Sequence, residues 1–541
     1  MYSSALSKIS RTAVRAATRS PLARTIATST VSLSQIKEGL VLGLFSSNKL
    51  CGADQAALTP SQQKHILDHV GALGHTGESG SVHLVLSDDL KKQIAVVGLG
   101  PESAKQQSEV VRMAVANGIK RLCANKVSNV SVGPMPSAKA ASEGAALALY
   151  SFDHFKSKKS ANDKPKSITY LADSSSNAQS QAAGEWRSGE IYAEAQNWAR
   201  DLMNTPANFM TPTIFAQRVQ EELQNLSNVS VNVYDAQWAE EQRMGGLLAV
   251  SRGSEEPLRF VEIIYKGDKS STDVSLAMVG KGITFDTGGY SLKPGRHMDL
   301  MKGDMGGGAT VVSAMRAIAK LQLPINVVAT VPLCENMISG RATKVSDIYT
   351  SRAGLTVEVM NTDAEGRIVL GDALHYTVEK HQPRAIIDVA TLTGAMVVAL
   401  GELYTGVFTP SPMLWSRIST ASNASDEPVW RMPLHDVWDS MLKSPVADLS
   451  NIGNKSEAGA CTAAAFLRHF VRDNAKDAAG DKEKTVPGEQ NNDESLPRWA
   501  HLDIAGPMEG TTAAGHHHKG MSGRPTRLLV ELANQLSKEK L

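Results

Sequence analysis

Residues 274 to 280, Val-Ser-Leu-Ala-Met-Val-Gly, form a short apolar run that reads as a buried strand. Lys281-Gly-Ile-Thr-Phe-Asp286-Thr-Gly-Gly follows it directly, and Asp304-Met-Gly-Gly-Gly then opens an apolar-periodic stretch, Ala309 to Leu323, that reads as a helix. Strand, long polar connection and helix in this order belong to an α/β sheet, where ligands bind in loops at the carboxyl ends of strands. The connection carries Lys281, Asp286, Lys293 and Asp304. Asp304 alone, before glycines at a helix start, need be no more than an N-cap.

A second polar cluster lies downstream, at Asn361-Thr-Asp-Ala-Glu-Gly-Arg367. If this heptad is extended, Asp363, Glu365 and Arg367 project from one side at period two and face a common point. Acid, glycine and arginine clusters are also common in solvated turns, so the heptad by itself decides little. Together the two clusters offer four carboxylates, Asp286, Asp304, Asp363 and Glu365, and three basic groups, Lys281, Lys293 and Arg367. Carboxylates converging on one point repel unless cations hold them. A ligand set with no Cys and little His favours hard or borderline divalent ions, Mg²⁺, Mn²⁺ or Zn²⁺, and four carboxylates suffice to bridge two of them.

These two stretches resemble the signature segments of the leucyl aminopeptidase family, the M17 dinuclear metallopeptidases. The likeness extends to Asn204-Thr-Pro-Ala-Asn208, Cys334-Glu-Asn-Met337, Asp388 to Met396, Ala458 to Phe466 and His501-Leu-Asp-Ile-Ala-Gly506, and so covers roughly residues 190 to 530. The resemblance implies an α/β chain of two domains: a smaller N-terminal α/β domain, and a larger catalytic domain whose central mixed sheet is flanked by helices. It implies a metal-dependent aminopeptidase that removes leucine-like apolar residues from peptides with a free N-terminus, through a water activated by two divalent ions, Zn²⁺ or Mn²⁺ and otherwise Mg²⁺. By motif position, Asp286, Asp363 and Glu365 hold one ion and Lys281, Asp286, Asp304 and Glu365 the other, with Lys281 as the neutral amine. Lys293 polarises the carbonyl, and Arg367 holds a bicarbonate that moves the proton. Met301, Thr391, Leu392 and Gly394 match positions lining the substrate site, although Met and Leu would ordinarily be read as core. The family also implies a homohexamer with active sites facing an internal cavity.

A chain of 541 residues exceeds the size at which a single core stops growing. The expected division is an N-terminal α/β domain at 31–185, a linker helix at 186–204 and a catalytic domain at 205–541. In the first of these, residues 81–86 and 93–98 read as strands and 102–118 and 138–151 as helices. Gly98-Leu-Gly100 reads as a turn rather than a nucleotide loop, and 156–184 as a polar surface stretch. No apolar run reaches the ~18 residues of a membrane helix. Cys51, Cys123, Cys334 and Cys461 are scattered, as expected of reduced thiols. Residues 472–498 form a charged insertion where the family connection is shorter, and Val345-Ser346 stands where many relatives have Pro-Gly. His516-His-His518 reads as a polar loop, with a weak metal-binding tract as the alternative.

Three other functional classes compete. A catalytically silent, structural oligomer is compatible with the insertion, but the seven site residues are all intact. A phosphatase-like dinuclear hydrolase would use more histidine. Nucleic-acid binding has no support in charge: the chain is +1 overall, and Lys8, Arg11, Arg15, Arg19 and Arg24 all fall in the first thirty residues, leaving the remainder four charges negative. Those thirty residues contain no acid, and Arg11, Arg15 and Arg19 recur at helical spacing, as in a mitochondrial presequence directing a protein to the matrix. Residues 1 to 35 fused to a fluorescent reporter are therefore expected to carry it to mitochondria. A diffuse cytosolic signal would count against the presequence.

Overall fold

The computed structural model describes residues 36–52, 58–87, 91–103, 107–158, 164–171, 176–471 and 497–539. The basic segment 1–30 lies outside the described residues, as does the insertion except for its last two positions; Arg498 already begins a strand, Arg498–Asp503.

The large sheet is mixed. Its four central strands, Arg498–Asp503, Ala385–Ala390, Leu276–Gly280 and Asn326–Asn336, run parallel in that spatial order. Gly282–Asp286 adds a parallel partner to the last of them, and Arg259–Lys266 and Val229–Tyr234 extend that side antiparallel. Side chains alternate between two cores. Leu276, Met278, Ile387 and Val389 enter the cluster formed with helices Ser176–Asn204, Gly306–Lys320 and Thr526–Lys538, whereas Ala277, Val279 and Ile386 enter the one formed with Glu365–His381 and Gly459–Arg468. Burial on both faces is why these strands read as unbroken apolar runs. The parallel strands all present their carboxyl ends at one edge, and the polar loops leave from there.

The smaller sheet orders Val82–Ser87, Lys92–Gly100, Glu38–Phe45, Asn129–Val132 and Ser167–Tyr170. Three expectations are corrected here. Gly98 and Gly100 belong to a strand rather than a turn. The stretch 156–184 contains the parallel edge strand Ser167–Tyr170 and the start of the long helix at Ser176, which runs to Asn204. The helix placed at 102–118 is Gln107–Ala124. Ser346 makes its turn at φ 74, in the left-handed region that glycine favours.

The two domains meet through a buried charged seam. Arg112 contacts Glu143 at 2.7 Å and Asp426 at 3.2 Å, and Arg527 contacts the same Glu143 at 2.9 Å. Arg112 also pairs with Glu109, whose other carboxylate oxygen lies 3.0 Å from His516 Nε2. Burial lowers the pKa of His516 to about 3, leaving a neutral imidazole.

Candidate metal centre

Five chain segments converge at the carboxyl edge of the large sheet. Lys281 directly follows Leu276–Gly280; its backbone N–H donates to Val389 O at 3.0 Å, and its carbonyl accepts from Gly308 N at 2.7 Å. The second contact needs a close approach of helix Gly306–Lys320: a Cβ on Gly307 would stand 1.9 Å from Val389 O. Asp304 precedes that helix, but its side chain does not cap it. It turns inward, where both oxygens meet Lys281 Nζ, at 2.7 and 2.9 Å, and Thr391 Oγ1 donates to it at 2.7 Å. Asp286 ends the strand Gly282–Asp286 and accepts from Gly288 N and Asn336 Nδ2, each at 2.8 Å.

The heptad is not extended. A turn carries Asn361 to Ala364, and the helix Glu365–His381 begins at Glu365, so Glu365 and Arg367 occupy its first turn and period two does not apply. The turn is held by its own amide groups: Asn361 Oδ1 accepts from Asp363 N at 2.8 Å, and Asn451 Nδ2 donates to Asn361 O at 2.6 Å. A carboxylate in the first turn faces the positive end of the helix dipole, which suits Glu365. Gly366 leaves room for Lys281 to cross the helix start, since a Cβ there would meet Lys281 Cε at 2.7 Å.

Six of the seven residues singled out in the sequence meet directly, and Arg367 lies close enough to feel the charge of Glu365. Lys281 Nζ reaches Glu365 Oε1 at 2.8 Å as well as Asp304. Lys293 Nζ lies 2.8 Å from Asp286 and 2.5 Å from Asp363. Arg367 is buried and donates to Asn451 O at 3.1 Å, leaving its Nε without a partner. Thr391 offers its carbonyl to Lys281 at 3.1 Å. Leu392 packs partly into the core, Met301 lies in the short helix before Asp304, and Gly394 opens onto free space, where a Cβ would meet nothing within 4 Å.

The electrostatics are those of a site short of positive charge. Burial, reinforced by Asp286, raises Glu365 to about 8; burial raises Asp304 to about 6 against the pull of Lys281; burial and Asp286 raise Asp363. Burial disfavours the ammonium forms of Lys281 and Lys293, yet the surrounding carboxylates outweigh it and hold both charged. The neutral Lys281 expected of a ligand therefore requires dications to replace that proton. Burial also lowers Arg367, to about 10. One oxygen each from Asp286, Asp363 and Glu365 lies within 4.8 Å of the others, and Glu365 Oε2 is buried with no hydrogen-bond partner. An orphaned carboxylate oxygen among converging acids fits a hard or borderline divalent ion.

Sequence reasoning missed the residues that orient these groups. Asn336 joins the two clusters, donating to Asp286 and, at 3.0 Å, to Thr362 O. Asn451 binds the heptad turn and Arg367 together. Asp503 accepts from Thr393 Oγ1 at 2.7 Å and from Leu392 N at 3.2 Å, fixing the loop after Ala385–Ala390. Their signal was position: Asn336 and Asp503 each close a central strand.

Fold and site together define a metal-dependent hydrolase of the α/β class. The family model described as "Cytosol aminopeptidase family, catalytic domain" matches residues 197–530, and its "N-terminal domain" counterpart matches 41–159. The chain is 42% identical over 539 residues to the cytosol aminopeptidase of Xenopus tropicalis, covering 96% of each. It is 40% identical to that of Homo sapiens, covering 94% of this chain and 95% of the relative. Among solved structures it resembles the bottromycin maturation enzyme BotP in complex with Mn, with a TM-score of 0.78, 31% identity and coverage of 93% and 100%. A mutant of tomato leucine aminopeptidase gives 0.77 at 29% identity, with coverage of 92% and 94%. The chain belongs to the cytosol aminopeptidase family and is an aminopeptidase that depends on metal. No helix among the described residues is long and apolar enough to cross a membrane.

Asn336→Ala is expected to release Asp286 and the Thr362 carbonyl together, weakening Mn²⁺ binding about 10- to 100-fold in equilibrium dialysis while far-ultraviolet circular dichroism stays unchanged. Undiminished Mn²⁺ affinity would remove Asn336 from the site's support.

Proposed function

We propose that the chain hydrolyses the first peptide bond of peptides with a free N-terminus and a leucine-like first residue, using two divalent ions. The observation that carries this reading is the convergence of Asp286, Asp304, Asp363 and Glu365 on two ammoniums, with Glu365 Oε2 left unpartnered. Asp286, Asp363 and Glu365 would hold one ion, and Lys281, Asp286, Asp304 and Glu365 the other, with Asp286 and Glu365 shared. When bound, such ions supply Lewis acidity and lower the pKa of water.

The chain's own groups do the rest. Lys293 keeps its proton and donates to the scissile carbonyl oxygen as negative charge grows there. Arg367, in the first turn of a helix and with a free buried Nε, binds an anion, which we take to be bicarbonate, beside the reacting bond. An anion held there would supply a base beside the reacting bond, and Arg367 would keep it in place. Thr391 and Asp503 fix the loop that leads to Gly394, whose side is open, and we take this loop together with Met301 and Leu392 to receive an apolar side chain. An uncharged pocket discriminates by only about 1 to 3 kcal/mol per methylene, so the preference is broad. We further propose a homohexamer located in the mitochondrial matrix.

Purified protein supplied with Mn²⁺ or Zn²⁺ is expected to hydrolyse Leu-p-nitroanilide, and Glu365→Ala to lose this activity together with at least one metal equivalent by elemental analysis. Absence of turnover with every divalent ion would put a silent, structural oligomer ahead. In sedimentation equilibrium the mass expected is that of six chains of 57.8 kDa; a monomer or dimer would overturn the hexamer.

A further inference from the structure

Away from the carboxylate cluster, the polar loop His516-His517-His518 closes on the helix Gln107–Ala124 of the N-terminal domain. There one carboxylate oxygen of Glu109 and one ring nitrogen each of His516 and His517 lie within 4.8 Å of one another. We propose that Glu109, His516 and His517 form a third metal site, for a borderline transition ion of the Zn²⁺ class, which clamps the two domains at their seam.

The geometry is close to what such an ion needs. Glu109 Oε1 stands 3.0 Å from His516 Nε2 and 3.7 Å from His517 Nε2. Two ligands on one tetrahedral Zn²⁺, with bonds of about 2.0 to 2.2 Å, stand roughly 3.3 to 3.5 Å apart. Modest rotation of His517, whose side chain is 42% exposed, meets that spacing. His516 by contrast is fully buried, and its Nδ1 has no hydrogen-bond partner. The nitrogen that would ligate is Nε2, which faces Glu109 Oε1, while Nδ1 lies on the other side of the ring.

The surroundings also fit. The second oxygen of Glu109 is held by Arg112, the arrangement by which an outer partner fixes a ligating carboxylate. Arg112 is shared with Glu143 and Asp426, so it does not neutralise Glu109 alone. His518 is occupied elsewhere, donating to Leu147 O at 2.8 Å, and leaves three protein ligands. The exposed side at His517 gives water access to the fourth position. Two imidazoles and one carboxylate favour Zn²⁺ or Cu²⁺ over Mg²⁺, in contrast to the oxygen-rich cluster around Glu365.

The difference in ligand type provides the test. Cu²⁺ is the probe, added at one equivalent to untagged full-length protein pre-equilibrated with Mg²⁺, and its coordination is read by electron spin echo envelope modulation. The ligand set of the catalytic cluster contains no histidine, so a two-imidazole signature reports a site elsewhere, and its dependence on His517 separates the seam from the pairs His65–His69 and His75–His83. His517→Ala, at an exposed position that leaves packing intact, is expected to reduce the signal to a single imidazole and weaken Cu²⁺ binding at least tenfold. Glu109→Gln is expected to weaken it while retaining two imidazoles. An absence of imidazole modulation, or an identical spectrum and affinity in His517→Ala, would overturn the proposal.

Discussion

Everything in the catalytic half of the molecule is arranged around a local excess of negative charge. Four carboxylates, three of them buried and Asp363 partly exposed, are gathered at the edge of a parallel sheet, where water screens their mutual repulsion only in part. Lys281 and Lys293 each bridge two of them, and Glu365 still keeps one oxygen without a partner. The backbone makes this possible. Gly307 lets a helix start against a strand, and Gly366 lets a lysine lie across another helix start, so charged groups from separate elements meet at close range.

Much of this is legible in the order of residues alone. The apolar run ending at Gly280 places Lys281 at a strand's carboxyl end, and that is where it lies. Residue type is enough to single out Asp286, Asp304, Asp363 and Glu365. The local form of the heptad is ambiguous in sequence because period two and a helical first turn can each bring an acid and an arginine near one point; the choice is made by Asn361 and Asn451, which close a turn before Glu365. Asn336 falls within the likeness at Cys334 to Met337, but its role is not legible because one amide at the end of a buried strand has no spacing of its own. Its meaning comes from Asp286 and Thr362, brought to it from 50 and 26 residues away.

In the N-terminal domain the error had a different source. Ser167–Tyr170 pairs along only one edge, and its residues alternate between exposed and half-buried, so a polar, lysine-rich neighbourhood hid a strand of four residues. The seam with the catalytic domain was equally silent in sequence. Arg112, Glu143, Asp426 and Arg527 each look like ordinary surface charge until folding buries them against one another. Burying ions offsets most of their attraction, so such a network adds little net stability, but a misplaced partner would strand a charge.

The spread of the site along the chain bears on how the protein is made. Lys281, Asp286, Asp304, Asn336, Glu365, Thr391 and Asp503 are neighbours only once four parallel strands have found their register. Apart from the short stretch from Lys281 to Asp304, the closures between them are non-local and lose loop entropy before any contact repays it. An unfolded or nascent chain therefore presents scattered single carboxylates that grip a divalent ion weakly. The full ligand set is complete only in an assembled sheet, so tight metal binding is expected to follow folding and to report its success.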